Sequence, residues 1–287
     1  MAPWRLPPQA GAVPVPSGSL DRPRAHASAG DTAVRAPPAK KSSRRAVGGQ
    51  AAGPAIRIWY KTASARDVPL LHPMKAQKAH WSAVAIVGVG MIGGSIGLAL
   101  KARRLADRVI GVGRSSASLA EARRLGAIDT AATDLAGAVA DADLVVIATG
   151  VAAIPRMLDA VDAAVRPGTL LTDAGSTKAS IVSAWERRRR TRRGRFVGAH
   201  PVAGSHRRGP AAAAADLFAG RVAIVTPATA TPGEDADLIG GFWSALGATV
   251  FMMPPREHDR ILAITSHAPH VVAAAVAAAT PAEARRF

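Results

Sequence analysis

Three short polar motifs in the second half of the chain contain side chains suited to acid–base chemistry. The motif DAGSTK contains Ser176, GAHPVAGS contains His200, and SHAPH contains His267. An imidazole with an ordinary pKa of about 6.5 is largely neutral at pH 7, so His200 can accept a proton from a substrate hydroxyl. Each residue taken alone also fits a structural role, since a serine at the position of Ser176 can cap a helix.

The SHAPH motif belongs to a long helical pattern that follows Pro254 and Pro255. Helical offsets place several residues on one face of this helix: Asp259, Ala263, Ser266, His267 and His270. Two histidines three residues apart suggest a metal site. No further acid or histidine follows at ligand spacing, so we predict no metal.

A glycine-rich turn earlier in the chain is typical of dinucleotide binding. The segment from Val84 to Leu100, VAIVGVGMIGGSIGLAL, sets three glycines at G-x-G-x-x-G spacing between an apolar run and a helical pattern. The first glycine permits the tight turn, the second lets a pyrophosphate approach the backbone, and the third lets helix and strand pack closely. The helix N-terminus then faces the anion. The predicted cofactor contacts here are Gly88, Gly90, Met91, Ile92 and Gly93.

The residues after the second apolar run bear on which dinucleotide binds. Arg114, Ser115 and Ser116 stand where an NAD-binding chain usually has an acid for the ribose 2′-hydroxyl, and an arginine there accommodates a 2′-phosphate. We therefore predict NADP as the preferred cofactor, with NAD as the alternative. Asp173 and Gly175 follow another apolar run, where ligands bind in such sheets, and are further predicted cofactor contacts.

Apolar runs alternate with helical patterns from Val84 onward, which predicts an α/β fold. The predicted strands are 84–87, 109–112, 144–148, 170–172, 222–226 and 249–252. Such alternation builds a doubly wound, mostly parallel sheet of the Rossmann type, with ligands at the carboxyl ends of its strands. A further helix is predicted to begin near Thr231 with Pro232 at its first position. This domain spans 81–253, and residues 254–287 form the first helix of an all-helical second domain that stops there.

Residues 1–80 differ sharply in composition from the rest. They carry 11 of the 21 prolines and +10 of the net charge of +17. With few periodic apolar positions, this basic segment is predicted to be disordered. A further hypothesis is that translation naturally begins at Met74. The chain has no cysteine, which excludes disulfides and cysteine-ligated metals.

Two alternatives involve macromolecular partners. The run RRRRTRRGR, residues 187–195, could contact nucleic acid, but only Trp185 and Phe196 lie close by for base stacking, so we favour a solvated helix end. The uncharged run from Trp81 to Leu100 is long enough to span a bilayer, but its five glycines weaken it as a helix. We predict neither a nucleic-acid nor a membrane partner, and a cytoplasmic location.

The order and spacing of four motifs resembles the prephenate/arogenate dehydrogenases of tyrosine biosynthesis. The motifs are G-x-G-x-x-G-G-S, D-x-G-S-x-K, G-x-H-P-x-x-G and S-H-x-P-H, and the resemblance covers about residues 82–280. It implies that His200 hydrogen-bonds the ring hydroxyl of a small-molecule substrate, that Ser176 helps to orient both groups, and that His267 lines the substrate side. It also places Thr149 near the nicotinamide. The activity implied is NAD(P)-dependent oxidative decarboxylation of prephenate, with arogenate as the alternative substrate.

The departures from the family leave other hypotheses open. Thr149 is followed by Gly150 where the family often has Thr-Pro, and a later arginine motif that holds a substrate carboxylate has no counterpart before Phe287. The family forms homodimers through its helical domain. Most of that domain has no counterpart here, so a dimer is doubtful for this chain. A non-catalytic NADP-binding fragment therefore remains an alternative. A β-hydroxyacid dehydrogenase is another, although those enzymes generally use a catalytic lysine instead of an H-P-x-x-G histidine.

Overall fold

The structure is a computed structural model that describes residues 80–187 and 191–280. The predicted disordered segment, apart from His80, lies outside these residues. The strands are β1 Trp81–Val87, β2 Ala106–Val112, β3 Thr130–Ala132, β4 Leu144–Ile147, β5 Leu170–Asp173, β6 Arg195–Pro201, β7 Val222–Thr226 and β8 Thr249–Met252. The helices are α1 Met91–Ala102, α2 Ser116–Arg124, α3 Leu135–Val139, α4 Ile154–Ala164, α5 Ala179–Glu186, α6 Gly233–Ala245, α7 Pro255–Leu262 and α8 Ala268–Ala279, with a π-helical turn, Ala263–His267, between the last two.

All eight strands join one sheet in the order β3-β2-β1-β4-β5-β6-β7-β8. Strands β1 to β6 run parallel, β7 is antiparallel to β6, and β8 is parallel to β7. The order of the first six strands is that of a doubly wound dinucleotide-binding sheet. The predicted fold class is therefore confirmed.

Two of these strands were not predicted. Strand β3, Thr130–Ala132, has only three residues and is largely exposed, so it produces no apolar run. Strand β6 has the sequence RFVGAHP, in which Gly198, His200 and Pro201 interrupt the apolar pattern although the strand is almost wholly buried. This omission matters because β6 carries His200.

Apolar side chains cover both faces of the sheet, as a buried parallel sheet requires. Alternate residues of β1 point to opposite faces, so that Val84 and Ile86 join one buried cluster while Ala85 and Val87 join the other. The first cluster includes Trp243, and burying each such large side chain contributes roughly 1.5–3 kcal/mol. The run from Trp81 to Leu100 is thus strand, turn and helix packed in this core, and not one continuous helix.

The predicted helical region after residue 254 is present, with one interruption. In the π-helical turn the Ala268 N–H donates to the Ala263 carbonyl, five residues back. Pro269 explains this change, because it lacks the N–H that would bond the Thr265 carbonyl and its ring crowds that position. The interruption breaks the single helical face predicted for His267 and His270 with Asp259.

The helix predicted near Thr231 begins slightly later, at Gly233, with Pro232 as its N-cap. The predicted position of Pro232 is therefore wrong by one residue. The Thr231 hydroxyl accepts a hydrogen bond from the Ala228 N–H at 2.9 Å, which closes a turn just before the helix. That local bond keeps the preceding residues out of the helix.

The segment from Pro255 to Ala279 is long and apolar enough to cross a membrane by length and composition alone. Its mean hydropathy is 1.6 over the best window, of which 6% is buried. Ile264, Val271, Val272 and Val276 are its large exposed apolar side chains. The same segment packs its first turns against α5 and β7, so part of it belongs to the folded domain.

Candidate active site

The glycine turn connects β1 to α1 and has the geometry that each glycine was predicted to provide. Gly88 has a φ of +98°, and a Cβ on it would lie 2.8 Å from the Ala148 carbonyl oxygen. A Cβ on Gly93 would lie 2.1 Å from the Gly88 oxygen, whereas a Cβ on Gly90 would meet nothing within 4 Å. The first and third glycines are thus required by packing, and the second leaves open space above the turn.

The residues around this open space fit a dinucleotide. Helix α1 begins at Met91 with Gly90 as its N-cap, no side-chain cap and no acid in its first turn, so its positive end is available to an anion. The Thr149 hydroxyl is buried, and within the described residues it has no hydrogen-bond partner. A buried orphan hydroxyl beside the glycine turn is a group that a bound ligand would satisfy.

The end of β2 lies directly beside this turn, because the Gly88 N–H donates to the Val112 carbonyl at 2.8 Å. Arg114, Ser115 and Ser116 follow on the exposed loop that leads into α2. The Ser115 hydroxyl caps that helix by accepting the Ser118 N–H at 3.2 Å. The predicted phosphate-binding residues therefore stand at the correct edge of the sheet, with Ser115 also holding a helix end.

The loop that follows His200 lies against the first turns of α1. The Ser205 hydroxyl is 3.4 Å from the Met91 sulfur. The Ala214 N–H donates to the Ser95 hydroxyl at 3.0 Å, and that hydroxyl donates to the Met91 carbonyl at 2.7 Å. The loop after β6 is thus bonded to the first turns of α1, the helix that begins at the glycine turn.

His200 is the first member of a buried chain of polar side chains. Its Nδ1 atom lies 2.9 Å from Nε2 of His258, with the two rings inclined at 70°. The Nδ1 atom of His258 lies 2.8 Å from a carboxylate oxygen of Asp259. His258 is fully buried and His200 is 8% exposed, while Asp259 at the other end is half-buried.

Asp259 is held in turn by the start of α5. Its two carboxylate oxygens accept the backbone N–H groups of Lys178 at 2.7 Å and Ala179 at 2.9 Å. Burial alone would raise the pKa of the Asp259 carboxyl, but these amides and the His258 side chain lower it below its ordinary value. Asp259 is therefore a carboxylate at neutral pH.

A buried ion pair clamps the residue before His200. Lys178 Nζ donates to the Asp173 carboxylate and, at 2.9 Å, to the Ala199 carbonyl. The other Asp173 oxygen accepts the Ala199 N–H at 3.2 Å. Both charged side chains are fully buried, and burial lowers the pKa of Lys178 against the opposing charge of Asp173.

This clamp bears on two predicted cofactor contacts. The Asp173 oxygen that pairs with Lys178 also accepts the Gly175 N–H at 2.8 Å, and both residues are buried. The Asp173 carboxylate thus bonds the backbone amides and the lysine that hold β5 to β6. Contact of Asp173 and Gly175 with a cofactor stays a prediction. Ser176, which lies between Asp173 and Lys178 in the sequence, is half-buried on the loop at the carboxyl end of β5.

His200 remains neutral well below physiological pH. Burial, the neighbouring His258, Lys178 and His267 lower the pKa of His200 to about 3, and Asp259 opposes them. Burial also lowers the pKa of His258, again against Asp259. His267, half-buried in the π-helical turn, is thus one of the groups that act electrostatically on His200.

His270 is turned to a local role. Its Nδ1–H donates to the Ser266 carbonyl at 2.8 Å, and the residue is exposed. Across residues 80–187 and 191–280, no group of three or more histidine, cysteine, aspartate or glutamate side chains is arranged to hold a metal ion.

Comparison with known proteins identifies the family. The family model described as "Prephenate dehydrogenase, nucleotide-binding domain" matches residues 96–252. The chain belongs to the prephenate dehydrogenase family. A second model of that family, "Prephenate dehydrogenase, dimerization domain", matches residues 254–286, which include His258, Asp259 and His267.

Individual relatives agree with this membership. The prephenate dehydrogenase of Bacillus subtilis (strain 168) is 36% identical over 194 residues, covering 67% of this chain and 52% of the relative. The cyclohexadienyl dehydrogenase of Zymomonas mobilis is 33% identical over 190 residues, covering 66% of this chain and 64% of the relative. The chain thus spans about half to two thirds of the length of these relatives.

Solved structures of the family share the fold. Prephenate dehydrogenase from Aquifex aeolicus, in complex with hydroxyphenyl propionate and NAD+, has a TM-score of 0.64 and 29% identity, over 70% of this chain and 71% of that one. Synechocystis arogenate dehydrogenase has a TM-score of 0.60 and 28% identity, over 69% of this chain and 68% of that one. The nucleotide-binding domain of the family is therefore present.

Sequence reasoning missed His258 as a member of the site. The adjacent residue, Asp259, was predicted to share a helix face with His267. In the structure Asp259 instead bonds the start of α5, and His258 bonds His200. The only local signal was a histidine followed directly by an acid at the start of a helix. Nothing in that spacing indicates a partner 58 residues away.

Proposed function

We propose that this chain catalyses the NAD(P)-dependent oxidative decarboxylation of prephenate to 4-hydroxyphenylpyruvate. The observation that carries the proposal is the position of His200. A neutral, 8% exposed imidazole stands near the carboxyl end of β6, and the loop that follows this strand is bonded to the first turns of α1. Membership of the prephenate dehydrogenase family and the substrates in the names of its relatives supply the reaction class.

The glycine turn would hold the cofactor. The open space above Gly90 and the uncapped end of α1 would receive the pyrophosphate, and the Thr149 hydroxyl would bond the cofactor near the nicotinamide. Met91 and Ile92 would contribute backbone amides at the same helix end. When bound, the oxidised nicotinamide supplies one function, which is to accept a hydride from the ring carbon that carries the substrate hydroxyl.

His200 would accept the hydroxyl proton as the hydride leaves that carbon. The oxygen is then becoming a protonated carbonyl, which is strongly acidic, so a weakly basic imidazole suffices. The resulting ketone withdraws the electron pair of the ring–carboxylate bond as carbon dioxide departs. The proton on His200 returns to the phenolate oxygen, so that the enzyme is regenerated and aromatisation makes the reaction irreversible.

Ser176 and His267 complete the proposed substrate pocket. Ser176, on the loop clamped by Asp173 and Lys178, would orient the substrate hydroxyl toward His200. His267 would line the opposite wall, and its proximity to His200 in charge terms supports that placement. We assign residues 81–253 to the cofactor-binding domain and 254–287 to the beginning of the helical domain.

We also propose that NADP is preferred over NAD. Arg114 and the serines beside it stand at the exposed end of β2, where the ribose of a cofactor in the glycine turn would lie. A charge-assisted hydrogen bond to the 2′-phosphate contributes roughly 1.5–3 kcal/mol. A homodimer through the helical domain is expected for the full-length family, and a cytoplasmic location stays a prediction.

Arogenate is the second candidate substrate. The names of the Zymomonas and Synechocystis relatives favour keeping it, since they include a cyclohexadienyl and an arogenate dehydrogenase. Prephenate and arogenate differ in a side chain away from the reacting carbon, and His200 would serve both in the same way. The choice between them therefore depends on an assay.

The test is reduced-cofactor formation by the full chain with prephenate and with arogenate, using NADP+ and NAD+. We expect turnover with prephenate, and a loss of at least about 100-fold in His200→Asn, as befits a general base. His80→Asn is the matched control, because His80 lies just before β1, at the amino ends of the parallel strands, whereas His200 lies near the carboxyl end of β6. Full activity of His200→Asn would remove His200 from the mechanism, and no turnover with either substrate would favour the fragment hypothesis.

A further inference from the structure

We propose that His258 and Asp259 are positioning residues that fix the tautomer of His200, so that its Nε2 atom is the proton acceptor. The catalytic consequence rests on the proposed function. The tautomer itself does not, because it follows from the contacts within the folded chain. The three side chains form one line from the start of α5 to His200 on β6.

Asp259 sets which atoms donate and which accept along this row of hydrogen bonds. Its carboxylate can only accept hydrogen bonds, and it already accepts two backbone amides at the start of α5. The adjacent Nδ1 of His258, 2.8 Å away, must therefore carry a proton. A neutral imidazole protonated at Nδ1 has a bare Nε2 atom.

That bare nitrogen determines the state of His200. The Nδ1 of His200 and the Nε2 of His258 are 2.9 Å apart, a separation that requires one shared proton, because two donors or two bare nitrogens would repel. Since Nε2 of His258 accepts, Nδ1 of His200 donates. The Nε2 atom of His200 is then unprotonated, which is the state that a base needs.

The surroundings keep both rings in this arrangement. His258 is fully buried among Lys178, Asp173 and Asp259, and Lys178 disfavours a second positive charge on either ring. The Ala199 carbonyl and N–H are both bonded by the Asp173–Lys178 clamp, which fixes the backbone that carries His200. Rotation of His200 away from His258 would break the only direct bond between Nδ1 of His200 and α7.

The hydrogen-bonded row of His200, His258 and Asp259 also crosses the boundary between the two family models. His200 lies in the segment matched as the nucleotide-binding domain, while His258 and Asp259 lie in the segment matched as the dimerization domain. The first turn of the second domain would thus set the chemical state of a base that belongs to the first. Carboxylate–histidine pairs serve the same orienting purpose in other enzymes, where the carboxylate holds the imidazole in one tautomer.

The tautomer can be read directly in the full chain, with all histidine imidazoles labelled with 15N. Two-bond 1H–15N correlation spectra at pH 7.5 distinguish the two ring nitrogens, and the His200→Asn spectrum identifies the His200 signals. We expect His200 to be protonated at Nδ1 and bare at Nε2. Predominant protonation at Nε2 in the wild-type chain would overturn the proposal.

Three variants test the positioning role. Asp259→Asn offers both a donor and an acceptor to His258, so we expect a mixture of His200 tautomers and a fall in kcat of about 10- to 100-fold with KM nearly unchanged. His258→Gln retains an acceptor for the Nδ1–H of His200, so we expect it to keep the wild-type tautomer and more activity than His258→Leu. Glu257→Gln, which removes a neighbouring charge from the same helical turn, is the matched control.

The outcomes separate this proposal from the proposed function. The expected tautomers without turnover on either substrate would defeat the proposed function and leave the positioning of His200 intact. Turnover with an unchanged His200 tautomer in Asp259→Asn would support the function and overturn the positioning role. Circular dichroism of each variant establishes that it is folded, and His258→Gln answers the question should Asp259→Asn fail to fold.

Discussion

The Nδ1 atom of His200 lies 2.9 Å from the Nε2 atom of His258, which joins the carboxyl end of β6 to the first helix after the sheet. The two residues are 58 positions apart and both are buried. Two histidines held neutral in the folded state link the stability of the fold to pH. The same contact links the two segments that the family models separate.

Stability should fall as the pH drops below about 6.5. His200 has a pKa of about 3 in the folded chain, so between those values the unfolded chain binds a proton that the folded chain excludes. From pH 7.5 to 5.5 His200 alone should reduce the free energy of unfolding by about 1 kcal/mol, and His258 adds in the same direction. Urea unfolding at both pH values measures the change.

Variants identify the source of that pH dependence. His200→Asn should reduce the difference between the two pH values, because its side chain does not titrate. His206→Asn, at an exposed position on the same loop, should leave the difference unchanged. A wild-type protein that is equally stable at both pH values would contradict the burial of neutral histidines.

Two glycine substitutions should separate folding from cofactor binding. In Gly93→Ala the new Cβ would meet the Gly88 carbonyl at 2.1 Å, so we expect a loss of at least about 2 kcal/mol in the free energy of unfolding. In Gly90→Ala the Cβ meets no atom within 4 Å, so the free energy of unfolding should change by less than about 1 kcal/mol. Cofactor affinity should instead fall at least about 10-fold, because the methyl group occupies the space proposed for the pyrophosphate.

Thermal unfolding and titration with NADP+ measure these two effects for each variant. Wild-type affinity in Gly90→Ala would mean that the cofactor does not approach the turn at that residue.

Arg114→Ala should weaken NADP+ binding selectively. The lost contact to the 2′-phosphate corresponds to a fall in affinity of about 10- to 100-fold, while the affinity for NAD+ should stay within about twofold. Isothermal titration with both cofactors measures the ratio. Arg124→Ala removes the same charge from the far end of α2 and is the control. An equal loss for both cofactors would contradict the assignment of Arg114 to the 2′-phosphate.

The buried pair of Asp173 and Lys178 should show strong coupling. Lys178→Met leaves the Asp173 carboxylate buried without its partner, which should destabilise the fold by about 3–5 kcal/mol. The double variant Asp173→Asn, Lys178→Met removes the uncompensated charge and keeps an oxygen acceptor for the Ala199 N–H, so it should be more stable than Lys178→Met alone. Additive losses in urea unfolding would show that the two side chains do not act as a pair.

Much of the cofactor half could be predicted because its signals are local. The spacing of Gly88, Gly90 and Gly93 is set by one turn between a strand and a helix, and the structure assigns each glycine a different packing reason. Strand β6 was harder to find. A strand next to a parallel core is identified by its apolar run, and β6 breaks that run with the glycine, histidine and proline of its own functional motif.

The clamp and the histidine chain could not be predicted from spacing. Asp173 was predicted as a cofactor contact from its motif, and in the structure its charge and that of Lys178 hold Ala199. The π-helical turn at 263–267 changed the register of the helical face on which His267 had been placed. Both effects depend on which atoms meet after the sheet has assembled.

The doubly wound fold and the glycine turn could be predicted from the amino-acid sequence, because strand–turn–helix geometry is a short-range property of the chain, and the motifs indicated His200, Ser176 and His267 as candidates. Long-range packing, in contrast, buries Asp173 and bonds His200 to His258. The physical reason is that hydrogen-bond direction and desolvation depend on neighbours brought together by long-range packing. Residues far apart in the chain, 58 positions for this pair, thereby determine which nitrogen of one imidazole carries a proton.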